Sequence, residues 1–179
     1  MTTRYGMAVD TVRCVGCAGC VIACKTENGL PHGVFRDWIV QEVSGRYPTL
    51  SMQIRSERCN HCGDAPCVDT CPTGASFVAE GGIVAVDPDK CTGCKACMAA
   101  CPYDARSVHP DGHVDKCTFC LHRVRDDRDP ACVENCPTRA LVFGDLADPR
   151  SELARLLESR EHEVLHPDSG TRPNLFFLV

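Results

Sequence analysis

The chain reads CTGCKACMAACP at residues 91–102, so four cysteines are separated by two, two and three residues and followed by a proline. This is the bacterial ferredoxin pattern, in which three successive thiolates reach three corners of one iron–sulfur cube. In two-cluster ferredoxins the fourth thiolate of such a run ligates the neighbouring cluster. The pattern therefore predicts that runs of this kind work in pairs.

Three further cysteine groups accompany this run, and together they account for all sixteen cysteines of the 179-residue chain. The first to fourth groups are Cys14, Cys17, Cys20 and Cys24; Cys59, Cys62, Cys67 and Cys71; Cys91, Cys94, Cys97 and Cys101; and Cys117, Cys120, Cys132 and Cys136. Sixteen thiolates suffice for four four-coordinate clusters with none left over. The grouping predicts four inorganic centres and hence a carrier of electrons.

Two other interpretations of the cysteines are weaker. Disulfides fit poorly, because dense CxxC loops without a preceding secretory signal are more typical of metal or redox motifs. Zinc competes for the fourth group, whose long central gap also suits a structural ribbon site. Three adjoining ferredoxin-type groups favour iron and sulfide instead.

Residues next to the cysteines are interpreted as neighbours of the clusters rather than as ligands. Proline follows the last cysteine of the second, third and fourth groups, whereas Lys25 follows that of the first. Lys25 is interpreted as lying at a solvated helix end, with softening of nearby negative charge as the alternative. His61 and His122 are expected to adjust local charge or hydrogen bonding rather than to ligate iron, since enough cysteines are available.

Composition bounds the remaining functional classes. The formal net charge is −5 and aromatic residues make up 6%, so a broadly basic nucleic-acid surface is excluded and a conventional core would be thin. The metal centres should then carry much of the folding free energy. The basic run of Arg123, Arg125 and Arg128 is interpreted as a solvated helix face, with partner docking or charge compensation as alternatives.

Periodicity and turn signals predict short elements around the cysteines. Strands are expected at residues 5–10, 38–43, 50–57 and 83–86, with a turn at 45–48 joining the middle two. A helix over residues 21–26 should end near Asn28, and another should begin with Asp148 as its cap and Pro149 at its first position. Residues 175–179 are interpreted as a closing strand, or else as an anchor against another subunit. No window is apolar enough to span a membrane, and residues 1–10 lack an export signal.

The strings PYDAR (residues 102–106), KCTFC (116–120) and GTRPNLFFLV (170–179), with four cysteine groups in this order, resemble one family over nearly the whole chain. This family comprises the iron–sulfur electron-transfer subunits of the complex molybdopterin oxidoreductases. Within it, the chain is most similar to the polysulfide or thiosulfate reductase type. The resemblance implies a non-catalytic subunit. It also implies that the first and fourth groups share two clusters while the second and third share the other two.

Carried over residue by residue, the resemblance implies four ligand sets, named sites one to four in their order along the implied relay. They are site one (Cys14, Cys17, Cys20, Cys136), site two (Cys24, Cys117, Cys120, Cys132), site three (Cys59, Cys62, Cys67, Cys101) and site four (Cys71, Cys91, Cys94, Cys97). Site one would lie nearest a large molybdopterin-containing catalytic subunit, and site four nearest an integral membrane anchor that reacts with quinone. Some relatives replace a third-group cysteine and hold a three-iron cluster, but this chain keeps Cys94, so four 4Fe-4S clusters are predicted.

The expected fold is therefore α+β, with two ferredoxin-like modules that are rich in loops. Residues 1–30 with 103–147 would form the first module, residues 50–102 the second, residues 31–49 a hairpin linker, and residues 148–179 a C-terminal helix and tail. The chain would be peripheral to a membrane, on a side left open because export can occur together with a partner. A freestanding polyferredoxin, or a subunit of a formate dehydrogenase or hydrogenase, is the alternative, and a zinc-stabilised scaffold is the weakest.

Overall fold

A computed structural model describes residues 2–179 and has a mixed α+β architecture. Its strands are β1 (Tyr5–Asp10), β2 (Asp37–Arg46), β3 (Thr49–Arg58), β4 (Ser76–Val78), β5 (Val84–Val86), β6 (Ser107–Val108), β7 (Val114–Asp115), β8 (Leu141–Asp145), β9 (His162–Glu163) and β10 (Leu175–Leu178). Its helices are α1 (Gly19–Glu27), α2 (Pro66–Asp69), α3 (Ala96–Ala99), α4 (Leu121–Val124), α5 (Ala131–Glu134) and α6 (Glu152–Ser159). Only α1 and α6 exceed one turn.

The largest sheet brings the two ends of the chain together. Its strand order is β8-β1-β10-β9, with β1 parallel to β10 and antiparallel to β8. The central strands are apolar on both faces, and Leu153 of α6 covers one of those faces. The predicted strands at residues 5–10 and 175–179 are confirmed, the second ending at Leu178.

A long hairpin projects from the first cysteine group. Strands β2 and β3 are antiparallel along ten residues each, from the pair Asp37 and Arg58 at the base to Arg46 and Thr49 at the tip. The base is buried and the tip is exposed. Both predicted strands are confirmed, although each is longer than predicted, because backbone pairing continues past the apolar residues that the sequence pattern detects.

The rest of the chain repeats a small unit of helical turn and hairpin. Hairpins β4–β5 and β6–β7 have their own two-stranded sheets. Helix α1 carries two buried cysteines, Cys20 and Cys24, and α2, α3 and α5 carry one each, namely Cys67, Cys97 and Cys132. The buried core contains cysteines alongside Met7, Ile83 and Phe177, as the scarcity of aromatic residues led us to expect.

Helix α6 begins later than predicted. Ser151, not Asp148, is the N-cap: its Oγ accepts a hydrogen bond from the Ala154 amide at 3.0 Å. The Asp148 carbonyl instead accepts from the Ser151 amide at 3.0 Å and closes a preceding turn. Both side chains can cap a helix, and in the structure Ser151 is the one that directly precedes the first helical residue, Glu152. Within residues 2–179, no helix is long and apolar enough to cross a membrane.

Candidate metal centres

The sixteen cysteines are all free thiols, and they fall into spatial groups that differ from the groups in the sequence. Helix α1 packs against α5, which brings the first and fourth cysteine groups together. Helix α2 packs against α3, which brings the second and third groups together. Cysteines from different sequence groups therefore meet.

At site two, four cysteines line one cavity and all four are buried. They are Cys24, Cys117, Cys120 and Cys132. Burial raises the pKa of Cys117 to about 12 and that of Cys132 to about 11. These thiols are therefore protonated in the metal-free chain at neutral pH, and metal binding must release protons.

At site four, the four cysteines also line a single cavity, which lies nearer the surface. They are Cys71, Cys91, Cys94 and Cys97. Only Cys97 is buried, and Cys94 is exposed. A Cβ at Gly93, whose φ is +66°, would overlap the Gly112 carbonyl, so the third CxxC loop packs closely on the β6–β7 turn.

The thiols of site three lie close enough to influence one another. Burial raises the pKa of Cys62 to about 11, and negative charge on Cys59, Cys67 and Cys101 contributes to the rise. Three of these four cysteines are buried, and Cys101 is half-buried. Tyr103 donates to or accepts from Thr171 beside this group, which ties the C-terminal tail to it.

Site one has the loosest set of contacts. Cys14 and Cys17 lie on the loop that enters α1, Cys20 lies in the first turn of that helix, and Cys136 follows α5. A methyl group at Gly19 would lie 3.5 Å from Cys17 Sγ and 3.9 Å from the Pro137 ring, so the loop packs beside the segment that holds Cys136. Cys17 is exposed and only Cys20 is buried.

Backbone amides point at the cysteine sulfurs, as expected around iron–sulfur clusters. The Ser76 amide lies 3.3 Å from Cys71 Sγ, and the Ala140 amide lies 3.3 Å from Cys136 Sγ. Other amides approach Cys91 and Cys117, both at 3.4 Å. The Arg106 Nη1 group is buried without a partner among the described residues, and cluster sulfide is an acceptor that would satisfy it. The donor set therefore fits iron–sulfur clusters.

Two predictions about basic residues were wrong. Arg123 does not lie on a solvated face, because its side chain is largely covered and pairs with Glu27 and Glu134; Arg125 and Arg128 are exposed. Lys25 is not at a free helix end, because its Nζ donates to the Pro31 carbonyl at 2.9 Å and the Val34 carbonyl at 2.8 Å. The ammonium group therefore binds two carbonyls of the loop that follows α1.

The two histidines differ strongly from each other. His61 is fully buried, stacks on Phe119 with ring centroids 3.7 Å apart, and accepts a hydrogen bond from the Val84 amide at 3.1 Å. His122 is exposed and lies 2.8 Å from Glu27.

Three buried basic residues escaped the sequence analysis: Arg58, Arg106 and Lys116. Their signal was present, because Arg58 and Lys116 each directly precede a cysteine and Arg106 ends the PYDAR string. A basic side chain beside a metal ligand is usually solvated, however, so sequence alone does not reveal its burial.

Comparisons with known proteins agree with this geometry. Residues 50–146 and residues 13–75 each match a family described as a 4Fe-4S dicluster domain. The chain is 43% identical to the B component of the polysulfide reductase of Wolinella succinogenes, covering 99% of this chain and 95% of that protein. It is 43% identical to the B component of the tetrathionate reductase of Salmonella typhimurium, covering 98% and 72%. It is 46% identical to protein NrfC of Escherichia coli, covering 97% and 79%.

These matches extend over nearly the whole chain, and they agree with the four cysteine groups and with the two ferredoxin-like dicluster domains. The chain belongs to the iron–sulfur electron-transfer subunits of the molybdopterin oxidoreductases.

Proposed function

We propose that the chain holds four 4Fe-4S clusters, at sites one to four, and relays electrons between a molybdopterin catalytic subunit and a quinone-reactive membrane anchor. The clusters supply the chemistry, since each can accept and release one electron. The chain itself binds no substrate; its residues position the clusters, exclude water and tune their potentials.

The observation that carries this proposal is the distribution of buried cysteines. At sites two and three, seven of the eight cysteines are buried, and the eighth, Cys101, is half-buried. Sites one and four each have one buried cysteine and one exposed cysteine, and the exposed ones are Cys17 and Cys94. A relay needs a protected interior and two ends that partners can approach, and this distribution meets both requirements.

The surfaces at the two ends suit protein partners. Around site one, Val12, Val15 and Ile22 are 78%, 60% and 62% exposed. Near site four, Phe77, Val78 and Val108 are also exposed. Apolar side chains grouped at the surface are typical of protein–protein contacts. The catalytic subunit would cover the first surface and the membrane anchor the second, which makes the chain a peripheral part of a membrane complex.

The proposal retains the two-module division into residues 1–30 with 103–147 and residues 50–102, with the difference that β6–β7 of the first range packs against site four, where the Val114 amide approaches Cys91 Sγ at 3.4 Å. Residues 31–49 connect the modules, and residues 148–179 form the tail. The packing of α1 on α5 and of α2 on α3 supports this division. Strand β3 reaches from the hairpin into the second range, so backbone pairing spans the boundary at residue 50.

Chemical analysis tests the cluster count. Anaerobically purified chain should contain about sixteen iron and about sixteen sulfide, being four cubes of four. A value near twelve, or a three-iron resonance in the isolated protein, would contradict four cubes. Zinc in place of iron would contradict the function altogether.

Co-purification tests which partner binds at which end of the chain. Val15→Glu should abolish co-purification with a large molybdopterin subunit while leaving the iron content unchanged, because it places a charge in one exposed surface only. Val78→Glu is the matched control at the other end, and it should instead release the membrane anchor. Loss of neither partner from either variant would contradict these docking surfaces.

A further inference from the structure

Three positive side chains lie in the interior with little or no carboxylate to neutralise them. Arg58 and Lys116 are each 1% exposed and Arg106 is 6% exposed. The nearest carboxylate to Arg58 is Asp37, at 3.8 Å. Within residues 2–179, neither Lys116 nor Arg106 forms a salt bridge. Burying a charge without a partner is strongly destabilising, so Lys116 and Arg106 need another source of negative charge, whereas Arg58 has the single carboxylate of Asp37.

Arg58 lies between sites one and two. Its Nη1 donates to Cys132 Sγ, a site-two thiol, at 3.0 Å. Its Nη2 donates to Ser56 Oγ, and that hydroxyl lies 3.4 Å from Cys20 Sγ of site one. Because Ser56 accepts from the guanidinium group, its own hydrogen is free to donate to Cys20.

Arg106 repeats this arrangement between sites three and four. Its Nη2 donates to Ser76 Oγ at 2.9 Å, and the Ser76 amide donates to Cys71 Sγ of site four. Burial lowers the pKa of Arg106, but negative charge on Cys67, Cys97 and Cys59 reverses that effect and raises it. Cys59 and Cys67 belong to site three, whereas Cys97 belongs to site four.

Lys116 lies at the junction of the two modules, between sites two and three. Its Nζ donates to the Val84 carbonyl and, at 2.6 Å, to the Cys117 carbonyl. The amide of the same Val84 donates to His61 Nδ1 at 3.1 Å, and His61 lies in the loop between Cys59 and Cys62 of site three, so Val84 links Lys116 to that site.

His61, stacked on Phe119, occupies the same junction but is not a fourth cation. Burial holds the pKa of His61 well below its usual value, and the charges of Lys116, Arg106 and Arg58 lower it further. Its Nδ1 accepts a hydrogen bond and therefore carries no proton. The junction thus contains a neutral imidazole beside a charged ammonium group.

We propose that Arg58, Lys116 and Arg106 alternate with the four sites, one cation between each successive pair, and that each raises the reduction potentials of the two clusters beside it. This inference rests on the proposed function. The physical reason is that reduction adds one negative charge to a cluster, and a nearby cation in a poorly screened interior stabilises that charge. Each cation favours the reduced form on both sides, so neighbouring potentials are raised together.

The test is a potentiometric titration of the cluster-loaded chain, followed by electron paramagnetic resonance. Arg58→Met, Lys116→Met and Arg106→Met should each lower two of the four midpoints, with at least a tenfold fall in the reduced-to-oxidised ratio, or about 59 mV for one electron. The midpoints lowered in Arg58→Met and Arg106→Met should not overlap. Lys116→Met should lower one midpoint from each pair. This pattern requires no prior assignment of signals to sites.

Two matched variants separate charge from structure. Arg150→Met makes the same change at an arginine whose side chain is 89% exposed. In this variant the reduced-to-oxidised ratio of each cluster should remain within twofold of its wild-type value. Arg106→Lys keeps the charge and should restore both midpoints that Arg106→Met lowers. A fully iron-loaded Arg106→Met that moves no midpoint, or moves all four alike, would overturn the inference.

Cluster assembly gives a second way to decide. Where a Met variant does not load its iron, the Gln variant at that position is compared with the charge-conserving variant there, which is Arg58→Lys, Arg106→Lys or Lys116→Arg. Full loading with the charge-conserving variant but not with Gln supports the need for charge, whereas equal failure of both overturns it. A wild-type chain without four one-electron steps would instead contradict the proposed function, so the two failures remain distinguishable.

Discussion

The four-cysteine sets of the proposed sites two and four lie in opposite surroundings. All four cysteines of site two are buried, and Arg58 donates directly to one of them. At site four, Cys94 is exposed and two more cysteines are half-buried. The comparison shows that burial follows position in the fold rather than ligand pattern, because the ferredoxin-type run of the third group supplies most of the more exposed site.

The short loops after the last cysteines of the second and fourth groups are a matched pair across the two modules. Both read CPT, and in both the threonine hydroxyl lies 3.7 Å from the cysteine sulfur, at Cys71 and at Cys136. Burial raises the pKa of each thiol, but several hydrogen bonds more than offset it, so both pKa values are lowered. The same local structure therefore prepares a thiolate in each module.

The largest expected effect comes from removing the metal from both sites together. Chelation with oxidation should unfold the chain, because the buried cysteines form part of its core and metal binding contributes directly to folding. Far-ultraviolet circular dichroism should lose its helical and strand signal. A cooperatively melting spectrum after complete iron removal would contradict this expectation.

Partial oxidation sharpens the comparison. Iron should leave in two phases of roughly eight each, with sites one and four first, because each has an exposed cysteine. A single phase of release would show that burial does not protect the inner sites.

Removing one ligand should affect the two sites unequally. Cys94→Ser should lower the iron content from about sixteen to about twelve, the loss of one cube. Cys132→Ser should lower it further and reduce the yield of soluble protein, because it leaves the buried Arg58 without its sulfur partner. Iron analysis of the purified variants measures both, and equal losses would contradict the difference in burial.

Two phenylalanines extend the comparison to packing. Phe119→Ala should lower the free energy of unfolding by about 3–5 kcal/mol, because the ring is 1% exposed and stacks on His61. Phe77, near site four, is 39% exposed, and Phe77→Ala should cost about 1 kcal/mol or less. Denaturant melts of the iron-loaded variants compare the two, and similar losses would contradict a tightly packed junction.

The smallest effect is expected away from the cysteines. Ser151→Ala removes the cap of α6 and should lower the free energy of unfolding by about 1 kcal/mol. Asp148→Ala is the matched control, since Asp148 is not the cap, and it should cost less. A larger loss of stability from Asp148→Ala than from Ser151→Ala would favour Asp148 as the cap of α6.

Local patterns predicted much of the fold. The strands at β1, β5 and β10 and the helix α1 lie where alternation, turns and caps indicated. The start of α6 was wrong because two residues could each cap a helix, and local propensity does not choose between them. The prediction that Arg123 lies on a solvated face was wrong because its partners Glu27 and Glu134 lie 96 and 11 residues away in the sequence.

The sequence by itself determined the donor set: sixteen cysteines at ferredoxin spacing specify the chemistry because short gaps constrain the backbone locally. Only the tertiary structure decided which cysteines are buried and where Arg58, Lys116 and Arg106 lie. The physical reason is that burial and charge compensation depend on which distant segments pack together. Spacing describes a loop, whereas the environment of a sulfur atom comes from everything that surrounds it.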